Sequence, residues 1–180
     1  NSNLHFGCRI TQPAPDLLFL TLGERFNRAE DAQTLDNHHG KVVRIHTDGR
    51  VPADNPFVKQ AGALPEIWSY GHRNPQGIAF RPGTNEVFIS ENGPWHSDEV
   101  TKLENGGNGG WDPRPNVGGR KDCPDDYCGY SPNQMGAMDP KQRAAFMPMT
   151  DTKTYPNALK PAWNNNGLSQ GMCGSTWLVG

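Results

Sequence analysis

Five consecutive positions, His72-Arg73-Asn74-Pro75-Gln76, gather an imidazole, a guanidinium and two amides. They lie inside "IWSYGHRNPQGIAF", Ile67 to Phe80, whose other residues read as strand. A second polar cluster, "ENGPWHSDEV", runs from Glu91 to Val100 and carries Asn92-Gly93-Pro94 near its start. The first cluster is a group of hydrogen-bond donors on a stiffened backbone, because Pro75 fixes its own φ. A loop between strands can use such residues to cap main-chain groups. It rarely needs three donors so close together. Side chains of these types suit an oxygen-rich ligand or an oxygen that gains negative charge during a reaction.

The elements that must hold these clusters are short. Gly (21) and Pro (16) make up about a fifth of the 180 residues, which favours turns and strands over long helices. Only 34% of residues are hydrophobic and mean hydropathy is −0.76. The length suffices for one domain with a core. "DLLFLTLG" (Asp16 to Gly23) reads as a buried strand, and "GKVVRIHTDG" (Gly40 to Gly49) as an alternating strand closing on Asp-Gly. "EIWSYGH" is a third strand, "GIAFRPGTNEVFIS" two strands around a Pro-Gly-Thr-Asn turn, and "DEVTKLENGG" a further one. Such spacing predicts an all-β sandwich, barrel or propeller. Between about 112 and 160 the chain turns polar and loses periodicity, which predicts a long insertion within one domain spanning 1–180; "PKQRAAF" there could form one or two helical turns. "SQGMCGSTWLVG" predicts a last strand that stops mid-pattern, and with Asn1 in place of Met the chain reads as processed or excised.

The net charge of −2 gives no electrostatic case for nucleic acid, and no apolar run is long enough for a membrane span. Of the four cysteines, Cys123 and Cys128 in "DCPDDYCGY" have the gap of a small disulfide loop; free thiols and zinc are the alternatives. Two disulfides, including Cys8 and Cys173, would imply an oxidising compartment, periplasmic or secreted.

"YGHRNPQGIAF", "ENGPWHSDEV" and "GGNGGW", together with "HFGCRI", "LTLGER", "GKVVRIHTDGRVPADNPF" and "PAWNNNGLSQGM", resemble the soluble quinoprotein glucose dehydrogenase and aldose sugar dehydrogenase family. The order agrees through the first 111 residues and returns at Trp163 to Met172. The resemblance implies a six-bladed β-propeller, about half of it covered here. Its open edges would then be completed by the remainder of the propeller or by a second chain. It also implies oxidation of a sugar at its anomeric carbon with pyrroloquinoline quinone (PQQ) and calcium, and an external electron acceptor.

By this resemblance His5 is the base, Glu24 (where the family generally has Asp) orients it, and Arg73 steadies the developing charge. Arg73, Asn74, Gln76, Asn92, Asp98, Trp163 and Asn165 fall at cofactor-site positions. The carbonyls of Gly93 and Pro94 fall at the quinone's calcium, and Glu99 and Gly109 at a second, structural calcium. His72 reads as structural. Leu4 and Ala29 stand at sugar-contact positions where the glucose enzymes are polar, which implies a broader aldose or another alcohol. A non-catalytic propeller of the hedgehog-interacting type and a calcium-dependent lactonase are the alternatives.

Overall fold

The computed structural model describes residues 3–26, 28–94, 96–113, 145 and 147–178. It contains two four-stranded antiparallel meanders. The first comprises β1 (Gly7–Ala14), β2 (Leu17–Leu22), β3 (Lys41–His46) and β4 (Ile67–Ser69), hydrogen-bonded in that order. The second comprises β5 (Pro75–Phe80), β6 (Val87–Glu91), β7 (Glu99–Lys102) and β8 (Trp163–Asn164), also in order. A 3-10 helix, Ala29–Gln33, lies between β2 and β3. The first strands of the two sheets, β1 and β5, pack together. Two successive meanders with adjoining first strands are β-propeller blades, and the chain is all-β as its spacing predicted.

Alternation sets the register. β2 pairs with β3 without a break from Leu17↔His46 to Leu22↔Lys41, which turns Phe19 and Thr21 inward. Phe19, Val42, Ile78, Val87, Ile89, Leu103 and Leu159 then form one core shared by both sheets. Each fully buried side chain of this kind contributes about 1.5–3 kcal/mol of transfer free energy. A second cluster joins Ala32, Trp111, Met147 and Met149.

β2, β3, β4 and β7 fall within the segments read as strands, and β5 and β6 overlap theirs, extending to Pro75 and Glu91. β1, with irregular pairing and a left-handed Cys8 (φ 77°), and the two-residue β8 carry no clear alternation and were not anticipated. The expected final strand does not form: residues 171–178 have no strand assignment. They are tied instead to the second sheet through Gly174 N–H to the Gln76 carbonyl and Ser175 Oγ to Ser90 Oγ. Residues 147–160 of the polar stretch pack against the rest of the described structure, burying Met147, Met149, Asp151, Ala158 and Leu159. Cys123, Cys128 and nearly all of "PKQRAAF" lie outside the described residues. Cys8 and Cys173, the cysteines among the described residues, are exposed free thiols. Among the described residues no helix is long and apolar enough to cross a membrane. Phe6, Ile10, Trp163 and Leu168 are large exposed apolar side chains; Ile10 and Trp163 lie on the edge strands β1 and β8.

Candidate active site

Three chain segments meet where β1 begins, β2 ends and β5 begins. Gly23 makes this possible: a Cβ there would sit 2.1 Å from the His5 carbonyl and 2.8 Å from Asn74 Oδ1. The chain then turns back through Arg25 and Phe26, both left-handed (φ 67° and 60°). Glu24 is thereby aimed inward and is wholly buried.

Glu24 Oε2 lies 2.7 Å from His5 Nδ1 and accepts the Phe26 N–H at 2.8 Å. The extra methylene relative to Asp is accommodated with the His–carboxylate contact intact. A carboxylate at Nδ1 fixes the proton there and leaves the Nε2 lone pair outward. That atom faces Arg73, whose Nη2 is 3.2 Å away. Phe26 meets the imidazole edge-on, with ring centroids 5.3 Å apart.

Arg73 is buried and anchored at several points. Nη1 donates to the Asn92 carbonyl at 2.8 Å, and the guanidinium lies 5.6 Å from the Trp111 ring centroid. Its main-chain N–H donates to Glu91 Oε1, and its carbonyl accepts the Glu24 N–H at 2.9 Å. Asn74 Oδ1 accepts the Gly7 N–H at 3.0 Å. The Gln76 carbonyl accepts Arg9 Nε and Gly174 N–H. His72 is buried between Ser69 Oγ (2.7 Å) and Glu91 Oε2 (3.3 Å), the structural role its position suggested.

The Gly93-Pro94 turn is braced by Asp98, whose fully buried carboxylate takes four donors. They are Gly93 N–H and Ser169 Oγ at Oδ1, and the Gln170 and Gly171 N–H groups at Oδ2. With both oxygens engaged, Asp98 acts here as a support for the turn. Asn165 is held by Leu168, Gly167 and the Asp98 carbonyl, and Trp163 is half-exposed on β8. Strand order puts β8 three spacings, roughly 14 Å, from β5. Gly109 donates to the Tyr70 carbonyl, and a Cβ on it would be 2.6 Å from the Gly71 carbonyl, so no aromatic residue fits this backbone. Ala29 is completely buried and Leu4 is half-exposed, so neither offers a polar sugar contact.

The sequence reading therefore converges for His5, Glu24, Arg73, Asn74 and Asn92. It omitted Glu91, which fixes the Arg73 backbone; the signal was a carboxylate ending the apolar strand "VFISE". Glu99 belongs to a second region. It lines a cleft of about 360 Å³ with Ser97, Thr150, Thr152, Lys160 and Asn164. Thr150 Oγ1 and Asn164 Nδ2 donate to it at 3.0 and 2.9 Å. Burial, then repulsion from Glu91 opposite it on β6, pushes its carboxyl up to about 8.

The residues fit a quinone with calcium by donor type. A guanidinium, amides and an imidazole suit an acidic, oxygen-rich ring. Two buried oxygens, Glu24 Oε1 and Asn92 Oδ1, lack a hydrogen-bond partner among the described residues, and Asn92 directly precedes Gly93-Pro94.

Comparison with known proteins settles the family. The glucose/sorbosone dehydrogenase family matches residues 1–177. This chain belongs to that family. It is 47% identical over 107 residues to aldose sugar dehydrogenase YliI of Escherichia coli strain K12, covering 59% of this chain and 29% of that protein. It is 47% identical over 83 residues to quinoprotein glucose dehydrogenase B of Acinetobacter calcoaceticus, covering 46% and 16%. The PQQ-bound structure of aldose sugar dehydrogenase from Streptomyces coelicolor superposes with a TM-score of 0.55 at 32% identity, over 66% of this chain and 33% of that one. The matched part of the chain thus spans a third or less of these relatives' lengths.

Proposed function

We propose that the protein carrying this chain oxidises an aldose at its anomeric carbon, using PQQ and calcium. The observation that carries the reading is His5 Nε2 facing the Arg73 guanidinium at 3.2 Å while Nδ1 is tied to buried Glu24. A sugar hydroxyl that reaches both groups loses its proton to Nε2 as the anomeric C–H leaves with its electron pair. Glu24 stabilises the imidazolium so formed, and Arg73 donates to the oxygen as its charge grows. When bound, PQQ supplies the electron-pair acceptor that no side chain offers, and calcium the Lewis acid that polarises it.

Arg73, the Asn74 amide nitrogen, Gln76 and Asn92 would hold the cofactor. The Gly93 and Pro94 carbonyls would hold its calcium, with Asp98 and Asn165 fixing the turn and Trp163 closing the rim. Glu99 and the Gly109 carbonyl would take a second calcium; the raised Glu99 carboxyl supports this, since a cation would relieve its repulsion from Glu91. Buried Ala29 and apolar Leu4 favour a broad aldose over glucose alone. Further blades would pack against the open faces of these two blades.

The test is reconstitution of the intact protein with PQQ and calcium, followed by dye reduction with a panel of aldoses. Aldose-dependent dye reduction is the expected result. Hydrolysis of lactones with calcium alone, or neither activity, would replace this reading with the lactonase or the binding module.

A further inference from the structure

We propose that Lys41 is a positioning residue for the His5–Arg73 pair, its buried amino group tying the 29–40 segment to the backbone that delivers Arg73. The inference rests on the catalytic reading of His5 and Arg73 given above.

Lys41 opens β3 and is completely buried. A Val or Ile there would fill space without the cost of desolvating an ammonium. Nζ donates to three main-chain carbonyls: Asp31 at 2.8 Å, Ala32 at 3.2 Å, and His39. Two of these lead to the active site. The Ala32 carbonyl also accepts the Gly71 N–H at 2.8 Å. His39 precedes Gly40, whose carbonyl accepts the His72 N–H at 3.1 Å. Arg73 follows at once, fixed on its other side by Glu91, and its carbonyl accepts the Glu24 N–H. A shift of the 29–40 segment therefore passes to Gly71 and His72 and then to the guanidinium at His5 Nε2 and to the carboxylate at Nδ1.

The amino group matches its task by count. An ammonium has three N–H donors for the three carbonyls, whereas a neutral amine has two. Loss of the proton releases one of the three carbonyls from Nζ and loosens the clamp. Desolvation brings the Lys41 pKa down to about 7, opposed by Asp31 and Asp36, so the change falls near neutral pH. The charged and titratable groups around it are Asp31 on the 3-10 helix, with Arg28 and His39 paired to it, Asp36 in the following loop, and His72 with Glu91 behind it.

The experiment is side-chain NMR of the intact protein without cofactor, following Lys41 and the His5 imidazole from about pH 5.5 to 9. The expected result is an inflection in the His5 signal at the Lys41 midpoint. Lys41→Met should remove that inflection. With PQQ, calcium and aldose added, the same variant should lower kcat roughly tenfold while KM changes about twofold or less. A His5 signal that does not respond at the Lys41 midpoint while Lys41 titrates overturns the proposal. So does a folded Lys41→Met protein whose His5 signal keeps that inflection and whose kcat is unaltered. Should Lys41→Met not fold, the titration of the unsubstituted protein decides alone. Absence of dye reduction in every variant would refute the catalytic reading, and the NMR result would still decide whether Lys41 positions His5.

Discussion

Two polar regions, the His5–Arg73 site and the Glu99 cleft, bury carboxylates in opposite electrostatic settings. At the first, Glu24 faces an imidazole N–H and the imidazole's other nitrogen faces a guanidinium, so donors and acceptors alternate at 2.7 and 3.2 Å. At the second, Glu99 faces a like-charged partner across β6 and β7, and its two hydrogen-bond donors are neutral. The first arrangement is preorganised for a proton to move between fixed groups. The second stores repulsion that a proton or a cation can relieve. Burial alone therefore does not distinguish the two carboxylates; the donors and charges around them do.

The largest effect is expected at the first region. His5→Ala should cut kcat by about 10²–10⁴, or roughly 3–5 kcal/mol of barrier, with little change in PQQ affinity. Parallel stopped-flow and cofactor titrations would separate the two, and equal losses in both would mean a collapsed pocket. Glu24→Gln comes next. It keeps the shape but makes an Nδ1–H donor contact neutral, so kcat should fall about 10²-fold or more, with binding of the sugar less affected. An unchanged kcat would remove Glu24 from the mechanism and make the two regions alike.

How far the sequence revealed these regions follows from what each depends on. Alternating apolar residues in "LLFLTL" and "VVRI" specify strands through local patterning, so β2 and β3 could be read directly. β8 could not, because two residues contain no period, and its pairing with β7 is set across 60 residues of intervening chain. The same contrast holds at the site. Arg73 and Asn74 announce themselves by donor density, and His5 by family resemblance. Glu91 and Lys41 look like ordinary strand-end charges, and their burial becomes visible only once Arg73 N–H and three carbonyls are seen to converge on them. The polar stretch after residue 112 read as an excursion because Met147 and Met149 are isolated apolar positions, yet both fill the cluster around Trp111.

A smaller effect, on stability, is expected at the second region. The Glu99 carboxyl is raised from 4.5 to about 8, so the folded state holds a proton that the unfolded chain releases. Stability is then highest below about pH 4.5 and falls as pH rises towards 8, by at most on the order of 1 kcal/mol per pH unit. Lys41, lowered to about 7, acts in the opposite sense: the unfolded chain binds the extra proton, and stability rises with pH above about 7. The Glu99 contribution is read between pH 5 and 7 as the difference between the protein and a variant that cannot ionise there. Glu99→Gln should flatten that slope, and calcium should flatten it in the unsubstituted protein. A slope that calcium leaves untouched would exclude Glu99 as a calcium ligand.

The finest test is Thr150→Val. It removes one of the two donors to Glu99 while nearly preserving volume. Because that hydrogen bond favours the ionised carboxylate, its loss should push the Glu99 carboxyl further up and cost about 1 kcal/mol, more at pH 8 than at pH 5. The His5–Arg73 site should not respond, since Thr150 makes its contact on the Glu99 side of the β6–β7 pair. A change in kcat at constant cofactor affinity would show that the two carboxylate regions are coupled through Glu91, which holds the Arg73 N–H with one oxygen and faces Glu99 across the strands.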